Sequence, residues 1–470
     1  MKNRIAYLLY YLKYHKLKSV AKLINLILLV IAIVDACMSI RGMSYFDKLG
    51  IKWGSVVDVV VIVINLVWSA IDGFLADAIA NMRKNYIKDD STKKMNEVIN
   101  NSQKKETLVH DESGEKAIYT KEVNKMLIED GDKIVIETDY ETPRKIEDFI
   151  RQNKDELFAF LRWKYLESKK PNKKMFFNEK KLCLTSDLYD YMNSKSKNKK
   201  VEVHKGCYYD TFVTNICSTY KLQDSKNITD IYDRGKFYPQ DENNYLPPLN
   251  NTMMNNEIGV STIAFTSDNR IVIWRSNANA QLPKGRAVPS GSGSSDWKDR
   301  KNKKTLAEAV CYSMQRELAE ECSLVSKRNY KKIMQATQTR LIGYWRWLQK
   351  GGKPEFSGVT KLGCKQSEIR SNDQEVCMLD GIGEYNQVSS KEDILEYLSN
   401  LKNACIIEKE NETKTIMSFA LYMNILFLEQ YIEAEDHGCN KEVQDERVAF
   451  LLGTTLPKSK KSSKRKKKSH

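Results

Sequence analysis

Three carboxylates near the middle of the chain have the spacing of a metal site. Glu317, Glu320 and Glu321 fall within about 100° of one another on an α-helix, which turns about 100° per residue. Carboxylates on one face repel each other unless a cation lies among them, and hard divalent ions prefer oxygen ligands. The spacing predicts a Mg²⁺ or Mn²⁺ site. The alternative is a solvated acidic helix face.

Two strands, a loop and a helix are predicted to position these carboxylates. Residues 258–265 and 270–275 have the pattern of a β-hairpin, and a Gly/Ser/Pro-rich loop follows at 289–296. Thr305 with Glu308 then matches a capping box that opens the helix. This order of elements predicts an α/β layered domain.

The sequence around the carboxylates, RELAEECSL at residues 316–324, resembles the core of the Nudix box, R-E-U-x-E-E-x-G-U. The resemblance implies that Glu317, Glu320 and Glu321 are metal ligands, with Glu317 and Glu321 as candidate catalytic residues. It also implies that Arg316 orients them by charge-assisted hydrogen bonds.

Three positions bear on the match to the rest of the Nudix box. Ser323 stands where the box has a glycine, and Asn302 stands where its leading glycine falls. Glu308 has the spacing of the first box glutamate. Nine residues along a helix, about 900°, nevertheless put Glu308 on the opposite face from Glu317.

A phosphate ligand needs cations beside a polar loop. The sequence predicts four ligand-binding residues around the Gly/Ser loop: Arg270, Arg275, Lys284 and Arg286.

The N-terminal region contains two apolar runs, from Leu23 to Ile40 and from Ser55 to Leu75. Each run is close to the ~20 residues that cross a bilayer as a helix. Lysine and arginine are concentrated before the first run and after the second. The positive-inside rule then predicts a multi-pass membrane protein with both termini and the remaining domains in the cytoplasm, which in a bacterium means the inner membrane.

Composition limits the other classes of function. Ten cysteines without a CxxC pair, and only five histidines, exclude a standard zinc site and indicate free thiols in a reducing compartment. The net charge is +15, and the last fourteen residues hold eight cations without an acid. That tail has no interleaved aromatic residues, so inner-membrane lipids are expected as its partner and nucleic acid is not.

The predicted fold class is α/β, in which a two-helix transmembrane hairpin precedes a small α+β region and a Nudix-like α/β/α sandwich. The predicted domains are the hairpin at 1–85, a linker at 86–130, an α+β companion region at 131–250, a Nudix-like domain at 251–455 and a polybasic tail at 456–470.

The whole layout resembles the membrane-bound Nudix effectors of CBASS, the bacterial cyclic-oligonucleotide-based anti-phage signalling system, and residues 351–358 resemble its Nudix-like domains. The resemblance implies a cyclic di- or oligonucleotide ligand and a cyclic-nucleotide synthase as functional partner. It also implies a homo-oligomeric effector that kills or arrests the cell through the hairpin. The alternative is a membrane-tethered, Mg-dependent Nudix hydrolase that cleaves a nucleoside diphosphate derivative.

Overall fold

Strands rich in β-branched and aromatic residues and amphipathic helices make up the computed structural model of the chain. It describes residues 6, 7, 10, 11, 13, 14, 86–89, 93–168, 176–196, 199–224, 230–276, 285–372, 376–378, 387–405, 416–433 and 441–454.

The strands are β1 (Tyr86–Asp89), β2 (Glu106–His110), β3 (Lys116–Thr120), β4 (Ile136–Thr138), β5 (Lys180–Leu184), β6 (Val201–Cys207), β7 (Lys221–Asp224), β8 (Asp230–Asp233), β9 (Gly259–Phe265), β10 (Ile271–Val272), β11 (Trp274–Ser276), β12 (Ala287–Val288), β13 (Gly291–Ser294), β14 (Gln338–Trp347), β15 (Lys353–Lys361) and β16 (Val376–Met378). The helices are α1 (Lys93–Glu97), α2 (Lys121–Asp130), α3 (Thr142–Gln152), α4 (Lys154–Glu167), α5 (Leu188–Asn193), α6 (Tyr208–Thr211), α7 (Leu306–Glu321), α8 (Tyr330–Ala336), α9 (Lys391–Ala404), α10 (Phe419–Glu433) and α11 (Lys441–Leu452).

A seven-stranded sheet lies at the centre, in the order β10-β9-β15-β14-β3-β2 with β13 also on β9. The first four residues of β9 pair with β13 and its last two pair with β10. Strands β9 and β15 run parallel, whereas the other pairs in the sheet are antiparallel. This pairing places β13 beside the point where β9 begins.

Helices cover both faces of this sheet, because the strands are apolar on both sides. On one face, α7 and the strands share a cluster that includes Leu306, Val310, Met314, Val260, Leu341 and Phe356. On the other face, α10 and the strands share a cluster that includes Ile425, Phe427, Leu428, Ile263, Trp345 and Val359. The result is an α/β/α sandwich with α7 held against the sheet.

The companion region is built on a second sheet, of order β4-β6-β5. Its helices α3 and α4 share an aromatic cluster with Tyr7, Tyr10 and Tyr14 from the N-terminal segment. Tyr10 donates a hydrogen bond of 2.7 Å to the carboxylate of Asp210. Tyr7, Tyr10 and Tyr14 therefore pack on the companion region.

Backbone hydrogen bonds join the companion region to the central sandwich. The Leu182 N–H donates to the carbonyl of Ser295 at 2.9 Å, and the Ile258 N–H donates to the carbonyl of Leu182 at 3.0 Å. Strand β5 is thus fixed beside the start of β9 and the end of β13.

Residues 86–130, where the sequence predicted a linker, contain two strands of the central sheet. Strand β3 pairs with β14, and β2 pairs with β3. Helix α2 packs on the sheet, with the Asn124 side chain accepting a 2.7 Å hydrogen bond from the Tyr344 N–H. Because β2 is a half-exposed edge strand, it has too few apolar residues to stand out in the sequence.

The predicted transmembrane hairpin is contradicted, and with it the multi-pass location in the inner membrane. Within the described ranges no helix is long and apolar enough to cross a bilayer. Helix α7, with 16 residues, is shorter than the ~20 residues that a span needs. The two segments assigned to the hairpin, Leu23 to Ile40 and Ser55 to Leu75, lie outside the described residues, as does the polybasic tail.

Candidate functional site

Helix α7 begins at a capping box, as its sequence predicted. The Thr305 hydroxyl accepts a hydrogen bond from the Glu308 N–H at 3.3 Å, and the Glu308 carboxylate accepts one from the Thr305 N–H at 3.2 Å. The hydrogen bonds that the Glu308 carboxylate accepts from the Lys304 and Thr305 N–H groups lower the pKa of Glu308 below its ordinary value. Glu308 therefore caps the first turn of α7 and takes no part in the carboxylate group at its other end.

The acidic face of α7, formed by Glu317, Glu320 and Glu321, lies along β13. The Glu321 carboxylate accepts a 3.1 Å hydrogen bond from the Ser292 N–H. Glu317 lies over Gly293, where an added Cβ atom would stand 2.3 Å from the carboxyl carbon. Glu320 is half exposed. Glu321 and Glu317 are therefore held against the backbone of β13, whereas Glu320 faces solvent.

Arg316 is held by a buried carboxylate that the sequence reading missed. Its Nε lies 3.2 Å from both oxygens of Asp299, and its Nη2 lies 3.0 Å from Asp299 Oδ2. Its other bonds go to Glu317 Oε1 and to the carbonyl of Ser294, each at 2.9 Å. The Asp299 side chain is 0% exposed. One guanidinium therefore connects α7 to the segment that follows β13.

The two positions where glycines of the Nudix box would stand both have left-handed backbone. Asn302 has φ 63° and Ser323 has φ 52°. Ser323 follows the end of α7, where its N–H donates to the carbonyl of Glu320 and the Leu324 N–H donates to that of Ala319. These two bonds define a Schellman motif, in which glycine is the usual residue. Left-handed backbone is a conformation that glycine adopts without steric cost, so both residues stand where a glycine would fit the backbone better.

Ser323→Gly should therefore stabilise the fold by roughly 0.5–1 kcal/mol. A residue with a Cβ atom pays about 1–2 kcal/mol for the left-handed conformation, and this gain is reduced by the greater freedom of glycine in the unfolded chain. It is also reduced by loss of the 3.2 Å hydrogen bond from the Ser323 hydroxyl to the carbonyl of Ser371. Urea unfolding measures the change. Ser323→Ala is the control, and equal stability of the glycine and alanine variants would contradict this reading of the backbone.

Burial raises the pKa of the Glu317 carboxyl to about 7; Arg316 opposes the rise and Glu320 adds to it. In the unfolded chain a glutamate has a pKa of about 4.3. Between these two pKa values the Glu317 carboxyl is ionised in the unfolded chain but still protonated in the fold. The stability contributed by this group therefore falls as pH rises and is fully lost above the folded pKa.

Glu317→Gln removes that titration. Relative to this variant, the wild type should lose up to about 3 kcal/mol of unfolding free energy between about pH 4 and pH 8. Urea unfolding at several pH values measures the difference, and Glu320→Gln at the half-exposed neighbour is the control. Parallel pH profiles for wild type and Glu317→Gln would show that Glu317 is an ordinary, solvated carboxylate.

The three carboxylates do not fit the divalent ligand set that the Nudix box implies. Across the described ranges, no group of three or more His, Cys, Asp or Glu side chains is placed to hold a metal ion. Glu321 is turned to the Ser292 N–H, and Arg316 contacts Glu317 at 2.9 Å and Glu320 at 3.6 Å. The cation among these carboxylates is thus a guanidinium of the chain.

The cations predicted to bind a ligand do not form one group. Arg275 lies in β11 opposite Ala287, whereas the Arg286 carbonyl accepts from the Ser276 N–H. Neighbouring residues of a strand point to opposite faces, so this register separates the two side chains. Arg270 lies at the turn before β10, 3.9 Å from the carboxylate of Asp268. Lys284 lies outside the described residues.

The outer face of α7 forms one side of a cleft with a volume of about 300 Å³, which we call the tyrosine cleft. Its lining is polar and aromatic, and comes from α7 (Tyr312, Gln315, Arg316) and α8 (Tyr330, Lys331, Met334, Gln335). The Tyr312 side chain is 45% exposed, and the Lys303 ammonium lies 5.1 Å from the centre of its ring. Arg316 is shared between the cleft and the acidic face.

Comparisons with known proteins leave the family of the chain open. No family model matches it, and no curated protein matches it. Among solved structures, the crystal structure of DR0079 from Deinococcus radiodurans aligns with 37% of this chain and 83% of its own length, at 15% identity and a TM-score of 0.23. A TM-score this low carries no conclusion about fold or function. The resemblance to Nudix proteins and to CBASS effectors stays a prediction.

Proposed function

We propose that the region around α7 is a divergent Nudix-like site that binds a nucleotide. The observation that carries this proposal is the backbone at Asn302 and Ser323, which is left-handed at both box-glycine positions. Arg316 lies between them in sequence and holds the carboxylate of Glu317, as the box pattern implies. A match in backbone conformation at two departures from the motif supports the Nudix-like reading more than the letters alone do.

Binding, and not turnover, is the function that this geometry favours. The carboxylates lack the arrangement of a divalent ligand set, while the tyrosine cleft beside them suits a planar, polar ligand. A base stacked on an aromatic side chain gains about 1–3 kcal/mol, and both Tyr312 and Tyr330 line the cleft. The amides of Gln315 and Gln335 can pair with the polar edges of a base. Lys331 in the lining and Lys303 beside the Tyr312 ring supply positive charge for phosphates.

Calorimetric titration of the purified full chain with cyclic dinucleotides and cyclic trinucleotides tests the proposal. We expect saturable binding that Tyr330→Ala weakens at least about fivefold, since loss of stacking removes about 1 kcal/mol or more. Tyr330→Phe keeps the ring and should retain binding. Tyr140, which is 74% exposed in the companion region, provides the distant control Tyr140→Ala. Absence of binding, or equal binding by Tyr330→Ala, contradicts the proposal.

In the cell, such binding would make the chain an effector of cyclic-nucleotide anti-phage signalling. Co-expression with a cyclic-nucleotide synthase, followed by phage challenge, tests this role. Protection should depend on the synthase and should be lost with Tyr330→Ala. Protection that is independent of the synthase would contradict the signalling role.

Hydrolysis of a nucleoside diphosphate derivative is the second candidate, and the pKa of about 7 at Glu317 favours it. A general base works best when its pKa is near the working pH. Chromatography of the products from wild type, Glu317→Gln and Glu321→Gln tests this candidate. Turnover that both substitutions abolish would establish hydrolysis in place of binding alone.

A further inference from the structure

A buried lysine of the companion region reaches the acidic region beside α7. The Lys181 ammonium lies 2.8 Å from Asp296 Oδ1, and both side chains are only 10% exposed. Asp296 follows directly on β13, and the Arg316 Nη2 lies 3.9 Å from its other oxygen. Lys181 and Arg316 thus approach the same carboxylate from two different elements.

The position of Lys181 is fixed by its backbone. Lys181 and Asp296 face each other in an antiparallel β-bridge, and the next residue, Leu182, bonds to Ser295 and Ile258 on either side. The pairing fixes the backbone of Lys181, and its side chain, only 10% exposed, is enclosed by the surrounding elements. The ammonium is therefore a built-in part of the site and not a mobile surface charge.

Several carboxylates share this cation. Burial alone would lower the pKa of Lys181, but Glu257 and Asp296 hold it above its ordinary value. Lys181 also acts on Glu317, whose pKa it lowers. Glu257 is 2% exposed and its Oε2 atom has no hydrogen-bond partner, so a nearby cation offsets part of the cost of burying it. The chain itself thus supplies positive charge to this cluster of carboxylates, from Lys181 at Asp296 and from Arg316 at Glu317.

We infer that Lys181 and Arg316 take the place that divalent ions occupy in a site of this pattern, so that the companion region completes the site and makes it independent of divalent metal. The inference rests on the proposed function for the identity of the ligand. The independence of the site from divalent metal does not depend on which ligand binds there. Magnesium should then have no effect on nucleotide affinity.

Electron paramagnetic resonance of free Mn²⁺, titrated with the full chain without nucleotide, tests the inference. Wild type should bind no Mn²⁺ through Glu317. Its titration should therefore have no saturable component that disappears in Glu317→Gln. Lys181→Met removes one buried cation from beside Asp296, Glu257 and Glu317, and should gain saturable Mn²⁺ binding, at least about tenfold tighter than any weak binding of wild type. Lys181→Arg, which keeps the charge, should behave as wild type.

The matched control is Lys353→Met in β15, since Lys353 is also a buried lysine, 2.7 Å from the carboxylate of Glu355. It should lose stability without gaining Mn²⁺ affinity. Wild-type Mn²⁺ binding that Glu317→Gln removes would overturn the inference, even if Lys181→Met does not fold. A folded Lys181→Met that binds no Mn²⁺ would overturn it as well. Because nucleotide is absent, neither result depends on whether the chain binds nucleotides.

Discussion

Arg316→Ala should lower the free energy of unfolding by about 3–5 kcal/mol, the cost of removing one partner of a buried ion pair. The substitution leaves Asp299 fully buried and without its counter-ion; only the Ser313 hydroxyl, at 3.0 Å, and the Asp296 N–H, at 2.9 Å, would still donate to it. It also releases Glu317 and the carbonyl of Ser294, so α7 loses its charged link to the segment after β13 and keeps the hydrogen bond from Ser313 to Asp299. Urea unfolding followed by circular dichroism measures the loss.

Arg340→Ala is the matched control for this prediction. Arg340 also makes two hydrogen bonds to one carboxylate, at 3.1 Å and 2.8 Å to Glu446. Its side chain is 37% exposed and that of Glu446 is 47% exposed, so the pair should contribute only about 0–1 kcal/mol. Equal losses from the two substitutions would mean that burial does not set the strength of the Arg316–Asp299 pair.

Gly291→Ala should destabilise the fold by about 3 kcal/mol, at the upper end of the usual range for overpacking. A Cβ atom at Gly291 would stand 2.6 Å from both the Cα and the N of Leu318. These are backbone atoms of α7, so no side-chain rotation relieves the clash and the helix must move away from β13. Because that movement displaces the acidic face, ligand binding should be lost together with stability.

Gly293→Ala separates the two effects. At this position the added atom meets the carboxyl end of Glu317 and no backbone atom among its three nearest neighbours. A flexible side chain can swing away, so we expect a loss of only about 1 kcal/mol together with a displaced Glu317. Thermal unfolding of both variants measures the contrast. A greater loss from Gly293→Ala than from Gly291→Ala would contradict the close packing of α7 on β13.

The local part of the site could be predicted from the sequence, because short-range patterns determine it. The capping box at Thr305, the helix and the clustering of its carboxylates each depend on residues a few positions apart. Helix α3 and helix α4 show the limit of such patterns: apolar residues keep near-helical spacing from Lys145 to Tyr165, whereas the structure has a break at Asn153.

The charges that surround the carboxylates could not be predicted in this way. Asp299 had a weak signal, since Asp296 and Asp299 have the spacing of a capping box. Lys181 gave no signal, because it lies 115 residues from Asp296 and looks like one more lysine of a lysine-rich region. Strand β3 was hidden for a related reason: its partner β14 lies more than 200 residues further along the chain. Contacts at that separation leave no trace in local periodicity.

The order of strands in the central sheet has a consequence for synthesis on the ribosome. Strands β2 and β3 emerge first, and the companion region follows before β14 and β15 appear. The two early strands must therefore wait for most of the chain, and pairing at such separation is slow. A chain shortened to begin at residue 131 or 251 would lack them and expose the edge of β14, where Trp345 and Trp347 lie. Unpaired edges of this kind recruit other copies, so expression from residue 106 or earlier should give less aggregation.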